Sequence, residues 1–404
     1  MPEIRRDSFP VMVVGRGPAG LTAAIALAEC GIPTALVGNP TNKADNRTTA
    51  LLAGSVTALE MLGVWGICAA QAAPLKVMRI VDDTGRLWRA PEVKFHANEI
   101  GLDAFGHNIE NRHLINALEQ RARSISDLQM IDDGVLSITT DERTVRVNTG
   151  GAKFLYGSLV IGADGRNSLS RTAAGIETDK RSYPQAALTV CLRHSRPHDD
   201  TSTEFHTPTG PFTLVPLPDN RASLVWVLDP ATANKFATFD DAKLADEIER
   251  ASHSILGKIE LEPGRGIFPL HVATARQFAN KRIALIGEAA HIIPPIGAQG
   301  LNLGLRDAAT ISELAIAAHR RSQDVGSANL LARYEKMRRT DVGSRTLAVD
   351  FLNRTLLSDF LPVQGMHGLG LYMVDRIGPL RRAVMREGVG PGSGQPRLMR
   401  GEMP

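Results

Sequence analysis

The chain has 404 residues, 43% of them apolar and 22% charged, with a formal net charge of +3. That is the composition of a globular protein with room for two or three domains and sizeable cores, and the charge is too small to make nucleic acid the main partner. Cys30, Cys68 and Cys191 lack metal-ligand spacing and read as reduced thiols, no apolar run nears a membrane span, and "MPEIRRDSFP" lacks a signal-peptide core. The expected location is the cytoplasm.

In chain order, "PVMVVGRGPAGLTAAIALAECGIPTALVG" (10–38) alternates between strand, glycine turn, helix and strand. The helix pattern runs from Gly17 to about Cys30 and stops at Gly31, which completes a βαβ unit. Residues 46–70 carry a helical pattern, 76–98 a hairpin turning at Asp83–Gly85, and 111–124 a helix. "GSLVIGADG" (157–165) ends a buried strand, 184–230 holds strand-like runs with a turn at Asp219–Asn220, and "FDDAKLADEIERASHSIL" is helical. "IALIG" (283–287) is another strand, 301–357 is mostly helical, and the Gly/Pro-rich tail 388–404 predicts poor order.

These pieces predict an α/β protein whose Rossmann-like cofactor domain is interrupted by a sheet domain. The cofactor domain is expected over 1–75, 100–175 and 265–330, and the inserted sheet over 76–99 and 180–264. A helical region (331–388) and a flexible tail (389–404) complete the chain.

Gly15, Gly17 and Gly20 form G-x-G-x-x-G between a strand and a helix, the context that the dinucleotide fingerprint requires. The first glycine permits the tight turn and the second admits a pyrophosphate. The third lets helix and strand pack closely, while the helix N-terminus supplies N–H groups. The strand-end acid expected about 20 residues on is replaced by Gly38, with Asn39 as a neutral substitute. Two further strand ends carry acids, Asp164 in "GADG" and Glu288 in "GEAA". Three such loops suit a cofactor longer than a nicotinamide dinucleotide.

The three loops, with "AAHIIPPIGAQGLNLGLRDA", resemble those of the FAD-dependent aromatic hydroxylases of the p-hydroxybenzoate-hydroxylase fold. "NRTTALLAGSVTALEMLGVW", "FGHNIENRHLINAL", "GPFTLVPLPDNRASLVWV" and "RYEKMRRTD" resemble the polyprenyl-phenol hydroxylases of ubiquinone biosynthesis, and the likeness runs from about 10 to 390. It implies a glutathione-reductase-type FAD domain and a mostly antiparallel substrate sheet. It also implies that NAD(P)H reduces FAD and that a flavin hydroperoxide, formed with dioxygen, hydroxylates a phenol.

By resemblance, FAD is held by Gly15, Gly17, Pro18, Ala19, Gly20, Asn39, Arg47, Arg112, Asp164, Gly287 and Glu288. Gly297, Ala298, Gln299, Gly300, Leu301 and Asn302 join them, and Pro295 and Gly297 lie in the catalytic flavin-ring loop with no acid–base side chain assigned. The family usually has Asp where Glu288 stands. His291 reads as a structural histidine at the start of the flavin-loop helix. His194 and His198 cannot share a helix face across Pro197, so no metal site is expected, and no G-x-S-x-G elbow occurs.

The apolar runs "GPFTLVPL" and "SLVWV", without a clear arginine clamp, favour a prenylated phenol over a small acid. A soluble phenol, a reductase on the same fold and a non-catalytic flavin-binding subunit are the alternatives. The arginines of "RIGPLRRAVMREG" (376–388) mark either a solvated helix face or peripheral contact with anionic lipid.

Overall fold

The computed structural model describes residues 7–40, 47–85, 90–151, 153–295, 297–357, 372, 376–390 and 394–404. Its centre is a sheet in the order β18 (Ala279–Asn280), β19 (Ile283–Leu285), β11 (Phe154–Gly162), β1 (Ser8–Val14), β2 (Thr34–Val37), β8 (Leu128–Ile131). From β19 to β8 every pairing is parallel, and a hairpin of β9 (Val135–Thr140) and β10 (Val145–Thr149) extends from β11. Strands buried on both faces must be apolar throughout; Val11 to Val14 and Ala35 to Val37 meet that demand.

Helix α1 (Pro18–Glu29) is buried from Gly20 to Ala28 because it is covered on several sides. Long α8 (Gln299–Arg320) and α4 (Asn111–Arg123) pack against it. A side chain on Gly304 would place its Cβ 3.1 Å from Gly287 Cα, so glycine is what lets α8 approach this closely.

The second sheet runs β20 (His291–Ile292), β17 (Gly266–Ala275), β12 (Thr178–His194), β15 (Arg221–Leu228), β14 (Gly210–Leu217), β13 (Thr201–Thr207), β5 (Val77–Asp82), β6 (Val93–His96). It is antiparallel except for β13 with β5, and β16 (Ile259–Leu261) pairs with β12. One face carries Phe205, Phe212 and Trp226 in a core shared with α6 (Pro230–Ala237) and α7 (Asp241–Ala251). A third sheet, of β3 (Thr48–Leu52), β7 (Gly106–Glu110) and β4 (Ala72–Pro74), lies between the two. The remaining helices are α2 (Ala53–Met61), α3 (Trp65–Cys68), α5 (Leu169–Ala173), α9 (Ala328–Leu357) and α10 (Gly378–Val389).

Four expectations change. The helical pattern at 46–70 opens with a strand, β3, because β7 and the Asn302 side chain take up its backbone groups. The boundary expected at 264/265 falls before β17, which belongs wholly to the second sheet; the central sheet resumes only at Ala279. His291 lies in β20, ahead of the helix that starts at Gln299. The end of the tail is docked: Leu398 and Met399 are 0% and 5% exposed in the core that includes α2 and α8. Residues 86–89 of the hairpin and 391–393 of the tail lie outside the described residues.

Candidate cofactor and active site

The three fingerprint glycines do different things. Gly15 has φ +112°, and a Cβ there would sit 2.2 Å from Ala163 O. A Cβ on Gly20 would sit 2.1 Å from Gly15 O. Both are required by the protein's own packing. Gly17 meets nothing within 4 Å, so its missing side chain leaves room for something outside the chain. It caps α1 without a side-chain hydrogen bond, with Pro18 following, which leaves the first helical N–H groups for an anion. Ala19 closes the rear, its Cβ 3.5 Å from the Cβ that Gly287 would carry.

The two strand-end acids are both engaged. Asp164 Oδ1 accepts from Ser168 Oγ at 2.5 Å and Oδ2 from the Ser170 N–H at 2.9 Å. Ser168 Oγ in turn accepts from the Arg171 N–H, so Asp164 shapes the loop that enters α5. Glu288 is half-exposed and pairs with Arg166 at 3.3 Å, linking the second loop to the third.

The flavin-loop stretch is the most exposed part of its segment. Pro295, Gly297 and Gly300 are exposed, and Gly300 has open space where a side chain would go. Gly297 and Ala298 have φ +65° and +55°. For alanine this conformation costs about 1–2 kcal/mol, offset here by a web of contacts. Gln299 Nε2 donates to Gly297 O at 2.9 Å, and Asn302 Nδ2 donates to Ala298 O at 2.5 Å and to Ala50 O at 2.8 Å. The Leu52 N–H donates to Asn302 Oδ1 at 2.9 Å, so one amide ties β3, the loop and α8 together. Leu301 packs against the main core.

Behind the loop lies a buried polar network. Asp307 Oδ2 accepts from the Gly287 N–H at 2.9 Å and contacts His291 Nε2 at 2.6 Å, while Oδ1 accepts from Arg338 Nε at 2.6 Å. Arg338 also donates to Asp341, which takes Arg306 and Arg345 as well. Arg345 reaches Gln299 Oε1 at 3.2 Å, which closes the circuit from the third acid loop to the flavin-ring loop. Burial alone would raise the Asp307 carboxyl, but His291 and Arg338 hold it below the ordinary value. His291 is thus buried and held by Asp307.

Arg47 and Arg112 come together at one rim, since the Asn111 N–H donates to Arg47 O and Arg112 follows directly. Arg47 lies over the Phe268 ring and Arg112 pairs with Glu110 at 2.8 Å. Asn39 is exposed at the end of β2. His194 and His198 lie ring to ring at 5.5 Å, but one nitrogen of each contacts a carbonyl, Arg196 O and Leu217 O. Among the described residues no group of three metal-ligating side chains occurs.

The chain matches the family described as FAD binding domain over residues 8–348. It belongs to that family. It is 32% identical to the ubiquinone hydroxylase UbiL of Rhodospirillum rubrum, over 97% of this chain and 92% of that protein. It is 29% identical to the 3-demethoxyubiquinol 3-hydroxylase of Escherichia coli, over 94% and 98%. The fold matches p-nitrophenol 4-monooxygenase PnpA of Pseudomonas putida with a TM-score of 0.77 at 18% identity, over 96% of this chain and all of that one. A single-residue variant of Klebsiella pneumoniae HpxO complexed with FAD matches at 0.75 and 20% identity, over 95% and 100%.

The chain is a flavin-dependent monooxygenase of this family, with FAD as cofactor. The open Gly17 and Gly300 positions and the uncapped start of α1 fit that cofactor. Arg16, Asp307, Arg338 and Arg345 were not singled out by sequence reasoning. Asp307 and Arg338 stood inside quoted motifs, and Arg306 and Asp307 are adjacent charges in a largely apolar stretch of α8, the signal that could have found them.

Proposed function

We propose that this enzyme hydroxylates the ring of a polyprenylated phenol on the path to ubiquinone. The observation that carries the reading is the face of the second sheet turned towards β3. Register places Thr189, Val225 and Thr213 in one row, Cys191, Ser223 and Val215 in the next, and Ala187 beside Phe268. Thr48 Oγ1 donates to Ser223 Oγ at 2.9 Å, which sets the direction of that face. Val215, Val225, Thr189 and Thr213 are half-buried and Phe268 is exposed, a partly open surface of uncharged side chains with Arg47 over Phe268 at its edge.

The arginines at its far end are already committed. Arg221 binds Glu262 at 2.6 Å and Glu110 at 3.3 Å, and Arg193 reaches Glu262 at 3.4 Å. Clamping a substrate carboxylate there would break these pairs, whereas a neutral, greasy phenol needs no such change. The names of the two similar hydroxylases support the same substrate class.

In this reading FAD supplies the oxygen chemistry and the chain positions and shields it. Gly17 and the start of α1 take the pyrophosphate, with Arg47 and Arg112 at the rim. Asp164 and Glu288 shape the ribityl passage. Gly297, Ala298 and Gly300 bring backbone N–H groups to the flavin ring, and Pro295 stiffens the loop. The sheet face of uncharged side chains holds the substrate and keeps water out.

Peripheral attachment to a membrane belongs to the same proposal. Ile377 at the N-cap of α10 and Leu380 and Val384 within it lie on one side and are 46%, 38% and 45% exposed, while Arg382 and Arg386 are exposed on another side. Between these two sides α10 is anchored by Arg381, paired with Glu99 at 2.6 Å, and by buried Met385. Exposed apolar side chains and arginines on either side of the anchored face suit an anionic lipid surface from which a prenylated substrate could be drawn. Among the described residues no single helix is long and apolar enough to cross a membrane.

The test is to weigh the quinone lipids of a strain lacking this gene. A prenylated phenol one oxygen short is expected, with labelled dioxygen entering its ring when purified enzyme and NAD(P)H are added. An intact ubiquinone pool together with no oxygen transfer to that lipid would overturn the reading.

A further inference from the structure

The dinucleotide fingerprint normally ends β2 on a carboxylate that binds the adenosine ribose. Here Gly38 stands at that place, and the structure shows what fills it. The Arg16 side chain crosses Gly38, where an added Cβ would meet Arg16 Cγ and Arg16 N at 3.4 Å each. Arg16 is fully buried, donates to Glu119 Oε1 at 2.9 Å and pairs with Asp132 Oδ1. Val37 pairs with Ile131 in parallel register and the Gly38 N–H donates to Ile131 O at 3.1 Å, so Asp132 lies beside Gly38 one strand across.

We propose that Asp132 is the adenosine-ribose ligand, moved from the end of β2 to the end of β8, and that Arg16 is its positioning residue. Three features support it. Adjacent strands are about 4.8 Å apart, a displacement that a ribose hydroxyl can follow without leaving the carboxyl edge of the sheet, where dinucleotides bind. Asp132 is 52% exposed while Glu119 is 15% exposed, so of the two carboxylates on Arg16 it is Asp132 that a ligand can reach. Arg16 occupies the first variable position of the fingerprint itself and lies in van der Waals range of the Gly38 position, so the arginine and the missing acid adjoin in space.

The experiment uses full-length apoprotein and measures dissociation constants for FAD and for FMN, which lacks the adenosine. Asp132→Ala is expected to weaken FAD at least tenfold, in line with losing a hydrogen bond to a charged group, and to leave FMN affinity unchanged. Asp132→Asn, which keeps shape and one acceptor, is expected to fall between. Unchanged FAD affinity in both variants would overturn the proposal. So would an equal loss for FAD and FMN, which would make Asp132 a structural prop of the edge. The outcome is independent of which phenol the enzyme hydroxylates.

Discussion

Gly17 and Gly20 stand three residues apart and answer to different constraints. Gly20→Ala forces a Cβ to 2.1 Å from Gly15 O, whereas Gly17→Ala meets no protein atom within 4 Å. The G20A apoprotein is expected to melt well below wild type or fail to fold. G17A should melt like wild type and yet bind FAD more than tenfold more weakly, as the alanine methyl occupies the pyrophosphate approach. Thermal melts with and without FAD distinguish the two. Asp341 gives a pH prediction. Burial alone would raise its carboxyl, but Arg338 and Arg306 bring it from 3.8 down to about 2. A carboxyl depressed on folding contributes stability above its unfolded pKa and loses it as pH falls through the folded one. The loss belongs between pH 3.8 and about 2 and amounts to about 2 kcal/mol. Urea unfolding across that range should show a shallower acid slope for Asp341→Asn than for wild type.

At the scale of elements, the docked C-terminus makes a claim that composition would not. Leu398 is fully buried, and a Cβ on Gly54 of α2 would lie 3.6 Å from Met399 Cβ. Arg320, at the end of α8, donates to Pro404 O at 2.8 Å. Leu398→Ala should cost about 2–5 kcal/mol, read as a lower denaturation midpoint with unchanged m-value. A flexible tail would give no change. The α8–α9 contact makes a second claim, since Asp307 on one helix and Arg338 on the other are both almost fully buried. Asp307→Ala leaves the Gly287 N–H without its acceptor and Arg338 with Asp341 alone, so a loss of about 3–5 kcal/mol is expected.

For the whole molecule, the question is how the cofactor sheet and the substrate sheet are kept in register. The third sheet does it: β3 is tied to α8 through Asn302 and to β15 through Thr48 and Ser223, while Asn108 on β7 donates to Pro216 O at 2.9 Å. Asn302→Ala should therefore loosen the flavin loop from the substrate face. The expected result is more hydrogen peroxide released per NAD(P)H consumed, while peroxide yield unchanged from wild type would count against it. Vesicle co-sedimentation tests α10. Binding to phosphatidylglycerol vesicles but not phosphatidylcholine is expected, and it should vanish when Ile377, Leu380 and Val384 become serine.

Strand β1, the glycine turn, α1 and β2 were legible because each is written in contiguous residues: apolar runs, punctuation by glycine, and a helix whose spacing needs no partner. Helices α4, α7, α8 and α9 were legible for the same reason. What stayed hidden depends on residues far apart in the chain. β3 reads as helix until β7 and Asn302 claim its backbone, and β17 reads as cofactor domain until β12 pairs along it. The loss of the ribose acid at Gly38 was visible in the sequence, but the arginine that fills its place drew no notice there. That Arg16 reaches Glu119 and Asp132, 103 and 116 positions away, was decided by the parallel packing of β2 and β8, because charge pairing follows distance in space and local pattern follows distance along the chain.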